Sequence, residues 1–239
     1  MNVIITGASR GLGRATAERF AAHGHDLYLT SMSETGLYKS MESLMLAYPG
    51  IDIKAKPFDL SEKRQAQDFG KWVLKELAKR EKNNTIDVLI NNAGQFLPGS
   101  VYNEEDDVLE KMIGINLYSA YHLTRILLPS MIRQKSGHIF NMCSIASFQA
   151  YANGGSYSIS KFALAGFSKN LREEMKPHGI KVTAVYPGAA YTDSWAAAGI
   201  ESERLMSAED IAGMIYAASQ LSVRACVEEI VLRPQLGDL

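Results

Sequence analysis

The 239 residues predict an α/β fold: a doubly wound, seven-stranded parallel sheet with helices on both faces. Seven short apolar runs, the amphipathic stretches between them, and the lack of a Pro/Gly/Ser-rich linker carry that prediction. The runs are NVIIT (2–6), DLYLT (26–30), IDIKAKPF (51–58), IDVLIN (86–91), GHIFNM (137–142), KVTAVY (181–186) and EEIVLR (228–233). Most are rich in Val, Ile or Leu, as strands covered on both sheet faces must be. Strands alternating with helical patterns imply right-handed βαβ units and a parallel sheet. With no repeat and no low-complexity tract, residues 1–239 are expected to form one domain.

Taken in order, the first run passes into TGASRGLGRA, which holds Gly7, Gly11 and Gly13 ahead of an amphipathic helix over 14–24. Glycines between a first strand and its helix let backbone N–H groups approach a pyrophosphate, and the helix N-terminus adds a favourable dipole. At this junction the triplet reads as the phosphate loop of a Rossmann fold. The second run ends in TSMSE, and the third leads through Asp59 and Leu60 into a helix over 61–80. After the fourth run comes NNAG, Asn91–Gly94. The stretch 108–128 is apolar around most of its circumference, so it should be buried on several sides, in its own core or against another subunit. Ser144 follows the fifth run, and SYSISKF (156–162) sets Tyr157 and Lys161 on one face of the next helix, one turn apart. The sixth run ends in Pro187 and Gly188.

Composition narrows the function classes. Lysine plus arginine (25) nearly balances aspartate plus glutamate (26), for a formal net charge of −1. That leaves no electrostatic footprint for nucleic acid or an anionic membrane surface. No segment approaches an uninterrupted span of about 18 apolar residues, and the amino terminus enters a strand without a signal-peptide pattern. The two cysteines, Cys143 and Cys226, imply no disulfide framework, so a reducing, cytoplasmic setting is expected. The five histidines show no metal-ligand spacing with cysteines or carboxylates, and no metal is expected. The acid-rich run NEEDD (103–107) reads as a solvated helix start.

TGASRGLG, NNAG, Asn116 in GINLY, Ser144, Tyr157-x-x-x-Lys161, and Pro187–Gly188 with Thr192 occur in the order in which the short-chain dehydrogenase/reductase family carries such motifs. The chain is identified by them as resembling that family over residues 6 to 192. The resemblance implies that a nicotinamide dinucleotide touches Gly7, Ser9, Arg10, Gly11, Leu12, Gly13, Ser31, Asp59, Leu60, Asn92, Ala93, Gly94, Tyr157, Lys161, Pro187, Gly188 and Thr192. It implies Tyr157 as general acid in reduction and base in oxidation, and Ser144 as the residue that binds the carbonyl oxygen. Lys161 would hold the nicotinamide ribose, and Asn116 would support a water relay to Lys161. A tyrosine brought from about 10 to about 7.5 needs roughly 3.4 kcal/mol of phenolate stabilisation. One cation at ~4 Å and an effective dielectric of ~20 supplies about 4 kcal/mol, so Lys161 is expected to suffice. A non-catalytic cofactor-binding sensor is disfavoured, because such proteins typically lose the Tyr/Lys pair.

The second strand ends without a carboxylate at Thr30, Ser31 or Met32, and Arg10 matches a position where, in that family, a basic residue often contacts the 2′-phosphate; both favour NADP(H) over NAD(H). Substrate loops are expected at 94–102, 145–156 and 188–206, with Phe96, Phe148, Tyr151 and Trp195 as candidate contacts for a carbonyl or alcohol substrate. The front half resembles 3-oxoacyl-(acyl-carrier-protein) reductases; the back half, with PGAAYTDSW, resembles bacterial sepiapterin reductases. The expected assembly is a homodimer or homotetramer.

Overall fold

The computed structural model of the chain describes residues 1–191 and 202–237. Its seven strands are β1 (Asn2–Thr6), β2 (Asp26–Thr30), β3 (Ile53–Ala55), β4 (Val88–Asn91), β5 (His138–Met142), β6 (Lys181–Pro187) and β7 (Glu229–Leu232). They form one parallel sheet in the order β3-β2-β1-β4-β5-β6-β7. The direction of winding reverses between β1 and β4, and such a switch point opens a crevice at the carboxyl ends of the strands.

The helices are α1 (Gly11–Ala22), α2 (Glu34–Ala47), α3 (Lys63–Ala78), α4 (Val108–Ile113), α5 (Ser119–Gln134), α6 (Gly155–Met175) and α7 (Ala208–Ser219). Side chains alternate along each strand and divide the core in two. Val3, Ile5, Leu27, Leu29 and Phe140 pack with Phe20 of α1 and Ile211 and Ile215 of α7. On the other face Ile4, Tyr28, Leu89 and Ile139 pack with Phe69 of α3 and Leu123 and Leu127 of α5. Between β4 and β5 a buried polar line crosses the sheet. Asn91 Nδ2 donates to Thr124 Oγ1 (3.1 Å) and Asn141 Oδ1 (2.8 Å), and Asn141 Nδ2 donates to Ser168 Oγ (2.9 Å).

All seven expected strands are present, and β3 is the one that shortens most. Lys56 N and Phe58 N still donate to Leu29 O and Ser31 O of the β2 side, but Pro57 between them has no N–H and ends the regular ladder. The apolar stretch 108–128 is not one regular helix. Between α4 and α5 the turn Gly114–Tyr118 is π-helical, and Asn116 sits buried at its centre. The α5 half buries Ala120, Leu123, Thr124 and Leu127 but leaves Tyr118 and Tyr121 exposed, so a wet aromatic face remains. No helix among the described residues is long and apolar enough to cross a membrane.

Candidate active site

The loop after β1 needs glycine for its backbone and for its packing. Gly7 has φ +66° and Gly11 φ +54°, a region that other residues rarely adopt. Gly13 serves proximity instead: a Cβ there would lie 2.3 Å from Gly7 O and 2.5 Å from Asn92 Nδ2. The turn after β4 is stapled to the same place. Thr6 Oγ1 accepts from Asn92 N (2.9 Å) and Ala93 N (2.8 Å), and Asn92 Nδ2 donates to Thr6 O (2.9 Å). One threonine thus ties the ends of β1 and β4 together at the switch point.

Above these ends lies a cleft of about 1370 Å³. Gly7, Ser9, Arg10, Gly11, Leu12 and Ser31 line it at the first two strand ends, with the Ser31 hydroxyl donating to Ser9 Oγ (2.9 Å). Met32, Asp59 and Leu60 line it as well. Asp59 Oδ1 accepts from Ser61 N (3.0 Å) and Ser61 Oγ (2.6 Å), so the carboxylate also shapes the approach to α3. Further along come Asn92, Ala93 and Gly94, then Ser144, Tyr157, Lys161, Pro187 and Gly188. Gly13 packs beneath the loop, not in the cleft wall.

The four candidate catalytic side chains converge from β5, α6 and the π turn. Ser144 lies two residues past β5 in extended backbone, and its Oγ accepts from Ala146 N (3.1 Å) while Ser147 Oγ accepts from Ser144 N (3.1 Å). This capping box holds the hydroxyl at the cleft that Tyr157 also lines. Lys161 is buried, with Nζ donating to Met142 O (2.8 Å) and lying 5.7 Å from the centre of the Tyr157 ring. Asn116 spends its amide on a neighbouring loop: Nδ2 donates to Gln95 O (3.0 Å) and Ser160 Oγ (2.9 Å), and Oδ1 accepts from Gln95 N (2.8 Å). A Cβ on Gly94 would lie 2.9 Å from Asn116 Oδ1 and 3.5 Å from Lys161 Nζ, so the bare glycine leaves room between them.

The electrostatics differ from the expectation that Lys161 alone brings the phenol to near neutrality. Burial pushes Tyr157 up to about 12, against a smaller lowering by the Ser144 hydroxyl. Burial likewise pulls Lys161 down to about 8. The reason is geometric. The ammonium is bonded to a backbone carbonyl, and both groups lose more by leaving water than they gain from each other. In the protein's own field Tyr157 is a proton holder.

Of the candidate substrate contacts, Phe96 lines the cleft and meets Tyr157 edge-on at 4.8 Å, and Tyr151 lines it too. Phe148 does not. It packs on Tyr186 at 5.3 Å under the Arg233 guanidinium, and its neighbour Gln149 faces the cleft instead. A loop has no fixed period, so an aromatic residue in it can turn either way. Thr192 and Trp195 lie outside the described residues. Sequence reasoning missed Thr6, Gln95, Ser147 and Gln149; only Thr6, directly before the glycine loop, carried a positional signal. No group of three or more His, Cys, Asp or Glu side chains among the described residues could hold a metal ion.

A family model described as short chain dehydrogenase matches residues 1–202. The chain belongs to the short-chain dehydrogenases. This member is therefore an oxidoreductase, and its relatives cover nearly its whole length. It is 33% identical to a sepiapterin reductase of Chlorobaculum tepidum, across 99% of this chain and 97% of that one. Among solved structures, an alcohol dehydrogenase of the archaeon Thermococcus sibiricus, complexed with 5-hydroxy-NADP, superposes with a TM-score of 0.87. It is 26% identical and covers 98% of this chain and 96% of its own. A metagenomic short-chain oxidoreductase in complex with NADP gives a TM-score of 0.83 at 28% identity, covering 98% and 97%.

Proposed function

We propose that this short-chain dehydrogenase is an NADP(H)-dependent carbonyl reductase, interconverting a ketone and a secondary alcohol. The observation that carries the reading is that Ser144, Tyr157 and Lys161 line the same cleft as the glycine loop. Gly7 and Gly11 line the cleft with backbone at positive φ and Gly13 lets the helix start pack close beneath them, an arrangement that fits the pyrophosphate of a dinucleotide. When bound, the cofactor supplies the hydride. Tyr157, held protonated by burial, delivers the proton to the carbonyl oxygen, and the Ser144 hydroxyl donates a hydrogen bond to the same oxygen. Lys161 anchors the ribose and the proton path, and Asn116 fixes the loop that borders it. NADP(H) is favoured by the NADP-bound neighbours, by Arg10 at the rim and by the lack of a carboxylate at 30–32.

Gln95, Phe96, Leu97, Gln149 and Tyr151, which line the same cleft as Ser144 and Tyr157, are uncharged. They suit a neutral, flat carbonyl compound, and with the 33% identity this favours a sepiapterin-like substrate over a carrier-bound 3-oxoacyl chain. We read residues 1–239 as one catalytic domain with its substrate loop at 188–206, working in the cytoplasm. Exposed Tyr118 and Tyr121 at the π turn and the start of α5, with exposed Phe162 on α6, support a homodimer or homotetramer.

Initial rates with sepiapterin and with an acetoacetyl thioester, each under NADPH and NADH, test the substrate and the cofactor together. Tyr157→Phe is expected to lose about 100-fold or more in turnover and to keep NADPH affinity within about twofold. Near-normal turnover in that variant would remove Tyr157 from the chemistry.

A further inference from the structure

Glu104 leaves the acid-rich run around it and enters the structure of the catalytic helix. Its Oε1 accepts from the backbone N–H of Ser156 (2.8 Å), and its Oε2 accepts from the Ser156 hydroxyl. Ser156 is the second residue of α6, is buried, and directly precedes Tyr157. The residue before the helix, Gly154, has no side chain with which to cap the unpaired N–H groups of the first turn. Glu104 supplies that cap from a segment 52 residues away. Gly155 makes the approach possible: its φ is +33°, and a Cβ there would lie 1.8 Å from Glu104 Oε1 and 2.5 Å from Gly99 O.

The segment that carries Glu104 is tied to the same site along its whole length. Asn116 holds both backbone groups of Gln95, and Phe96 lies edge-on against the Tyr157 ring. Gly99 N donates to Asn153 O (3.1 Å), and the Ser100 hydroxyl donates to Asn153 Oδ1 (2.9 Å). Glu104 closes this chain of contacts at the helix end.

We propose that Glu104 is a positioning residue for Tyr157. It locks the first turn of α6 to the loop 95–104, so that the phenol and the cleft wall against it move as one body. The proposal rests on the reading of Tyr157 as the proton donor. Its expected signature is a loss in kcat without a loss of cofactor binding, because the dinucleotide rests on other elements.

Four proteins test it: Glu104→Ala, Glu104→Gln, Tyr157→Phe, and the Glu104→Ala/Tyr157→Phe double variant. Each is assayed for sepiapterin reduction and for NADPH affinity by fluorescence. Glu104→Ala is expected to lose about tenfold in kcat and to bind NADPH within about twofold of the parent. Glu104→Gln keeps an acceptor for the Ser156 N–H, and its amide can donate to the hydroxyl, so it should recover to within about threefold of the parent. In the Tyr157→Phe background the alanine substitution should cost nothing further, since it acts only through Tyr157. Should Glu104→Ala not fold, Ser156→Ala takes its place with an expected loss of about threefold. The proposal fails if Glu104→Ala keeps its kcat, if the loss persists undiminished in the Tyr157→Phe background, or if NADPH affinity falls in parallel. Full turnover in Tyr157→Phe, by contrast, would overturn the reading of Tyr157 itself.

Discussion

Gly13→Ala measures how closely the first helix must approach the cofactor loop. The added Cβ would sit 2.3 Å from Gly7 O, 2.5 Å from Asn92 Nδ2 and 2.8 Å from Gly7 C. Two of these atoms are backbone, so the helix start or the glycine turn must retreat by roughly 1 Å to restore ordinary contact. Overpacking of this kind costs about 1–3 kcal/mol. Displacing Asn92 also weakens its bond to Thr6 O, worth about 1 kcal/mol. Against that, alanine is preferred to glycine in a helix by about 1 kcal/mol. The net loss of about 1–3 kcal/mol should lower Tm by roughly 3–10 °C in a domain of this size. The assay is thermal unfolding alongside an NADPH titration, with Gly213→Ala as the control. Gly213 is also helical, but its added Cβ would meet only Arg19 Nη2, at 3.8 Å, so that variant should be neutral or gain up to about 1 kcal/mol. A Gly13→Ala protein that melts with the parent and binds NADPH equally well would refute the close-packing argument.

The other predictions concern charge. Arg10→Ala should raise KM for NADPH by about tenfold or more and leave KM for NADH little changed, since a charge-assisted bond to a 2′-phosphate is worth about 1.5–3 kcal/mol. An equal effect on both cofactors would count against the choice of NADP(H). His138 is buried, stacked on Phe140 at 3.9 Å with Nε2 2.6 Å from Thr183 Oγ1, and burial pulls it down to about 3. The unfolded chain takes up a proton near pH 6.5 that the folded chain refuses, so this contribution is whole above that pH and drains away as pH falls toward 3. By pH 4.5 the loss amounts to about 2–3 kcal/mol. Urea titrations at pH 7 and 4.5 should therefore show a smaller acid loss for His138→Gln than for the parent; the same loss in both would disprove it.

Much of the fold was legible because it rests on patterns that the chain cannot hide. Seven apolar runs became seven strands, since strands buried in the middle of a sheet are built mainly from apolar residues. The glycine loop was legible for a similar reason, as positive φ and close approach leave little choice of residue at Gly7 and Gly13. Position relative to other elements was not legible. The apolar periodicity of 108–128 is blind to one extra residue in a turn, so the π-helical register around Asn116 could not be read. Aromatic residues in the loop after β5 were counted, but Phe148 turned onto Tyr186 and Gln149 took its place in the cleft. Glu104 looked solvated among its acidic neighbours because its partner lies at the start of a helix far along the chain. Tyr157 and Lys161 were singled out by their place in the family's order of motifs, yet neither that order nor their spacing could show that the ammonium would bond the Met142 carbonyl.

The π turn at Gly114–Tyr118 has a further consequence, which concerns phase. Each residue advances an α-helix by about 100°. Within the turn, the rotation is set by Asn116, which must face Gln95 and Ser160. Downstream it is set by α5, whose Ile126 fills a notch at Gly70 of α3, where a Cβ would lie 2.7 Å from Ile126 Cγ2. A regular helix could satisfy one of these settings and would miss the other by about a quarter of a turn. The widened turn reconciles them. A one-residue deletion there would straighten the helix and force a choice between the site and the core.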